Sequence, residues 1–143
     1  MNEMTFEQLF DQSFDRVNST LVDSISFFDA FYDRFLRSSK EVADKFKDTD
    51  MTKQQKMLKR SFYSLVTFFA TYKADHSLEK IAIKHNRAHL DIRPELYDLW
   101  LECLIDTARE FDSEFTEELE LVWRLVMMPG IVYMKFHYDK TEE

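Results

Sequence analysis

Residues 76–97 read HSLEKIAIKHNRAHLDIRPELY, and the order of apolar and polar positions in that stretch decides the fold. Leu78, Ile81 and Ala82 recur at the spacing of one helix face, and His85 continues the same stripe. The spacing predicts a helix over about His76 to Ala88. Arg93-Pro94-Glu95 then opens another, since proline suits a first helical turn and the acid suits the positive end of the helix dipole. Two helices thus meet at a short joint, and the first presents an imidazole where an apolar residue is expected.

The same pattern extends in both directions. A helix starts at Thr5, paired with Gln8 in a capping box, and carries Phe6, Leu9, Phe10, Phe14 and Val17. Asn18-Ser19-Thr20 breaks it and caps a second helix with Val22, Ile25, Phe28, Tyr32 and Phe35 on one side. A short segment, Lys40 to Phe46, ends at Asp48-Thr49-Asp50. That cluster caps a long helix striped by Met51, Leu58, Phe62, Leu65, Val66 and Phe69. The helix opened by Pro94 runs through Trp100 and Ile105 to Phe111. The last starts near Ser113 or Thr116, with Pro129 inside it, where a kink or break is expected. No repeat or linker interrupts the series, so the expectation is an all-α chain of six to seven helices in a single domain, 1–143.

Composition agrees. The 143 residues hold one glycine and two prolines, about 2 % where average usage gives around 12 %. Sheets built on tight hairpins and glycine-rich phosphate loops are therefore disfavoured. Aromatic residues make up 15 % of the chain, with 14 Phe, far beyond the needs of a plain bundle. A net charge of −8 argues against nucleic acid and anionic lipid as partners. The longest uncharged run, Ser61 to Tyr72, is too short for the roughly 20 residues that span a bilayer. One cysteine, Cys103, and an N-terminus without signal-peptide features point to the cytoplasm.

Three polar side chains on apolar stripes carry the functional reading: Tyr32, Gln54 and His85. Taken singly, each has an ordinary explanation: a core tyrosine, a half-exposed amide, a hydrogen-bonded core histidine. Together, in a phenylalanine-rich interior, they match the needs of an enclosed haem: one neutral imidazole for the iron, apolar walls and a few donors for the sixth ligand. The aromatic surplus then reads as the lining of a large flat cavity. His85 and His89, four apart, form only a weak alternative for a transition metal, because no carboxylate or thiol completes the set. His76 and His137 read as surface residues.

These residues are arranged as in bacterial single-domain globins and the haem domain of flavohaemoglobins, over about Phe31 to Tyr133. Phe31-Tyr32-Asp33-Arg34 resembles the distal-tyrosine motif, and Phe46 follows at the spacing of the haem-packing phenylalanine. Asp50-Met51 with Gln54 and Leu58 resembles the start of the distal helix. Leu78 to His85 resembles the helix of the proximal histidine, followed by Pro94-Glu95-Leu96-Tyr97, and Phe115-Thr-Glu-Glu with Trp123 is similar to the start of the last helix. The resemblance implies a globin fold and a pentacoordinate haem b whose iron is ligated by His85. It implies haem contacts from Phe46, Lys84 and Tyr97, Lys84 at a propionate. Tyr32, Gln54 and Leu58 would face the bound gas, whether O2, NO or CO. Three departures stand out: two extra residues between His85 and Tyr97, no last-helix glutamate to polarise the imidazole, and Pro129-Gly130. A register slipped by one would bring Lys53 to the place of Gln54. The implied activity is reversible oxygen binding, with NO dioxygenation if a separate reductase supplies electrons. The alternatives are a gas or redox sensor, and a globin-like interaction module without haem. Oligomeric state stays open at this point: the apolar run Leu125 to Met134 suits core or subunit contact.

Overall fold

The structure, a computed structural model, describes residues 3–140. Among them seven helices carry the chain: α1 (Phe6–Asn18), α2 (Phe27–Ser38), α3 (Lys40–Phe46), α4 (Met51–Thr71), α5 (His76–His85), α6 (Pro94–Phe111) and α7 (Glu117–Phe136). The described residues contain no strand, only an isolated bridge between Val22 and Ile25. Helix starts follow local chemistry. Thr5, Ser26, Ser39, Asp50, Asp75 and Thr116 each accept a first-turn amide with the side chain, and Thr5 with Gln8 completes a capping box. Only α6 lacks such a cap; Pro94 at its start needs one donor fewer.

Three boundaries differ from the sequence expectation. The second helix begins at Phe27, not after Thr20, because Val22 and Ile25 exchange both backbone hydrogen bonds across Asp23-Ser24, whose φ angles are 51° and 65°. This is a left-handed hairpin turn made without glycine. Asp tolerates that region at modest cost, which composition alone underrates. The helix that starts at His76 ends at His85 rather than near Ala88, because the buried Asn86 turns extended at its C-cap. Finally, α7 runs unbroken through Pro129 to Phe136. Buried residues on both sides of it, Val126, Met127, Ile131 and Met134, hold the two halves against one core.

Helix α7 is packed by α1, α4 and α6, while α2 lies on α6 and α3. Away from α5, the interior is an aromatic cluster. Phe10 meets the Trp123 ring at 4.8 Å, Phe14 meets Phe62 at 5.2 Å, and Phe27 meets Phe28 edge-on at 5.1 Å. One buried polar knot ties α1, α6 and α7 beside it. The Trp123 indole donates to Ser13 Oγ at 2.9 Å, Ser13 donates to Asp112 Oδ2 at 2.6 Å, and Arg16 Nε donates to Asp112 Oδ1 at 2.6 Å. Burial by itself raises the Asp112 carboxyl pKa. The hydrogen bonds from Arg16, Ser13 and the Glu114 amide outweigh burial and hold it below the ordinary carboxylate range.

Removing this acceptor tests the knot. Asp112→Ala leaves the buried Ser13 hydroxyl without its acceptor and the half-buried Arg16 with only Glu114 at 3.6 Å, and is expected to cost about 1–3 kcal/mol in urea unfolding. Since the folded pKa lies below the unfolded one, the carboxylate's contribution is complete above about pH 4 and lost as pH falls through the folded value. Asp112→Asn is therefore expected to flatten the acid limb of the stability profile. A wild-type urea midpoint in Asp112→Ala protein would contradict this account.

Candidate functional site

Helices α2 to α7 all contribute to one apolar cavity of about 180 Å³. His85, the last residue of α5, reaches it because α5 buries Leu78 and Ala82 and the imidazole follows on the same face. Its Nδ1 lies 2.8 Å from the Ile81 carbonyl. A carbonyl cannot donate, so Nδ1 carries the proton and Nε2 keeps its lone pair. Burial lowers the imidazole pKa, against the Ile81 hydrogen bond that raises it, and Lys84 lowers it further. The result is a neutral imidazole with one free donor nitrogen, on a cavity wall.

Tyr32 comes to the same cavity from α2, and Gln54 and Leu58 come from α4. Gln54 Nε2 donates to Tyr32 Oη at 3.2 Å, which leaves the phenolic proton for another acceptor. Burial pushes the Tyr32 pKa up to about 12, slightly opposed by Gln54, so the phenol stays a donor. Phe46 packs edge-on against the Tyr32 ring at 5.7 Å and against Phe35 at 6.2 Å, which fixes the ring's orientation. Lys53 is exposed, whereas Gln54 is half-buried and lines the cavity.

Tyr97 lines the cavity from α6, and burial raises its pKa above the ordinary tyrosine value. It is not the partner of His85, whose Nδ1 is already taken by Ile81. Lys84 is exposed and not part of the lining. The lysine that does line the cavity is Lys45, held by a 3.0 Å hydrogen bond to the Leu90 carbonyl. Sequence reading had no signal for it, because Leu90 lies in the joint after α5 and is distant in the chain. His89 is exposed and pairs with Asn86 Oδ1 at 2.8 Å. His137, read as a surface residue, is half-buried with its ring 4.4 Å from that of Tyr133.

The aromatic surplus needs a correction. Of the 14 phenylalanines only Phe35 and Phe46 line the cavity. Most of the others near the core pack on one another around Trp123, because α1 and the first half of α7 close on that end of the fold. Gly130, unremarked as a site residue, lines the cavity where α7 meets α4. A Cβ there would lie 2.2 Å from Leu65 Cδ2, so the lone glycine of the chain leaves room for that terminal methyl of α4.

The donor set indicates what the cavity suits. Among the described residues no three of His, Cys, Asp and Glu gather to hold a metal ion. A metal bound at His85 would have to bring most of its donors with it, inside an apolar group. A haem does both, and the neutral imidazole, apolar walls and paired phenol and amide fit one.

No protein-family model matches the chain, and no curated protein does. A solved structure from Pseudomonas aeruginosa, described as structurally highly homologous to a human hemoglobin, does match it. The two are 38 % identical, with a TM-score of 0.88, over 95 % of this chain and 100 % of that one.

The contact at Gly130 yields a direct test by thermal denaturation. Gly130→Ala is expected to stay within about 1 kcal/mol of wild type, because only a terminal methyl of Leu65 must rotate and alanine favours the helix. Gly130→Leu is expected to lose about 1–3 kcal/mol and to shrink the cavity. Equal stabilities for the two variants would show that this contact is unimportant.

Proposed function

The chain belongs to the bacterial single-domain globins, and on that premise we propose that it binds haem b in the α2–α7 cavity, with His85 as the protein's iron ligand. The reading is carried by one observation: a neutral imidazole, its Nδ1 engaged by Ile81, shares an apolar cavity with the Gln54–Tyr32 hydrogen-bonded pair. Held there by His85, haem would supply an iron that takes a diatomic gas. The Ile81 carbonyl orients the imidazole and keeps its proton at Nδ1, so that Nε2 is the ligating atom. Tyr32 offers its phenolic proton, and Gln54 its amide, to a ligand that gathers negative charge, as O2 does. Leu58 limits the space beside them. Lys45, which lines the cavity, and the exposed Lys84 beside His85 would be the cations for the haem carboxylates. Cys103 lies off the cavity lining, which agrees with a haem held without a thioether.

Reversible O2 binding is the activity this arrangement favours. Nitric oxide and carbon monoxide are ligands of the same chemistry. Conversion of nitric oxide and dioxygen to nitrate takes one further electron, which we assign to a separate reductase.

Titration with haemin tests the cofactor. The wild-type chain is expected to bind it with a Soret band that shifts under CO, and His85→Ala to lose that spectrum. A chain that stays colourless with haemin overturns the reading. A second measurement concerns the donors: loss of Tyr32 or Gln54 removes a hydrogen bond of about 1–2 kcal/mol, so Tyr32→Phe/Gln54→Leu should release O2 about tenfold faster or more. An unchanged dissociation rate would remove both residues from ligand binding.

A further inference from the structure

Helix α7 is apolar on both sides, although only one side faces the core. Leu121, Leu125, Met128, Val132 and Phe136 recur at spacings of three and four along its outer arc and are between 37 and 63 % exposed. A helix that is apolar all round ordinarily has all of its surface covered. Here nothing within the described residues covers the outer arc. The ion pairs of α7 with α6, Arg124 with Glu102 and Lys135 with Asp98, run along its edge and leave the apolar strip open.

The strip is symmetric about the Met128–Pro129 bond: Leu121 and Phe136 lie equally far from it, and so do Leu125 and Val132. A surface with that property is complementary to itself when turned end for end. We propose that α7 pairs with α7 of a second copy in an antiparallel twofold dimer, Leu125 against Val132 of the other copy and Leu121 against Phe136. The ends agree in charge. Glu117 and Glu118, exposed and in no ion pair among the described residues, come to the end where Lys140 lies over the Phe136 ring at 4.4 Å. The opposite, parallel arrangement sets Glu117 and Glu118 of one copy against the same residues of the other, so like charges meet. Covering both strips removes on the order of 1,000 Å² from water, where specific interfaces begin. The outer arc is separate from the haem cavity, so this dimer does not depend on the haem reading.

The test is the mass of the full chain in solution, by sedimentation velocity and light scattering at roughly 100 μM, above the micromolar Kd of a small interface. Wild type is expected at twice the 17.3 kDa chain mass. Val132→Glu and Leu125→Lys each bring a charge into the strip and should weaken dimerisation by about 100-fold or more, with unchanged helical circular dichroism. The double variant Leu125→Lys/Val132→Glu sets the introduced ammonium of each copy against the introduced carboxylate of the other and should restore the dimer. A monomeric wild type overturns the proposal, as does a dimer that survives both single substitutions. A double variant that stays monomeric overturns the antiparallel register.

Discussion

An imidazole, a phenol and an amide have to be held together on the wall of one apolar cavity, and the rest of the structure serves that constraint. Helices α2 to α7 each give residues to its lining. The fold concentrates its tight packing elsewhere. Around Trp123, aromatic rings meet at 4.8 to 6.4 Å, and the Arg16–Asp112–Ser13 knot locks α1 onto α6 and α7. The aromatic cluster and the cavity thus occupy different parts of one interior.

Within the open region, polarity is placed with little redundancy. The Ile81 carbonyl settles the His85 tautomer, and burial keeps the ring neutral. Gln54 spends one amide proton on Tyr32 and thereby leaves the phenol free to donate. Phe46 holds that phenol edge-on. The His85 Nδ1 pairs with the Ile81 carbonyl rather than with Tyr97, and the lysine that lines the cavity is Lys45.

Helix α7 shows how one element serves several surfaces. Its inner face carries Trp123 for the aromatic cluster and Ile131 for the cavity wall. Gly130 lets it lie against Leu65 of α4, and its outer arc presents an apolar strip. The run Leu125 to Met134 reads as either core or contact because it alternates between buried and exposed positions.

Much was legible in the residue order because its causes are local. Capping side chains and apolar spacing placed most of the helix starts and brought Tyr32, Gln54 and His85 onto inward faces. What escaped depended on partners distant in the chain. The fate of the phenylalanines depended on which helices pack together, since an aromatic stripe looks the same against a cavity or another ring. Lys45 needed Leu90, and Gly130 needed Leu65. The turn at Asp23-Ser24 was hidden for another reason: left-handed backbone is merely costly for such residues, and two hydrogen bonds between Val22 and Ile25 offset that cost. By itself, then, the sequence determined an all-helical chain and the identity of its polar positions, because periodicity and caps act within a few residues, and the resemblance of those positions to the globins pointed to the family. Only the tertiary structure decided which side chains border the cavity and which pack on one another, because that depends on contacts between helices.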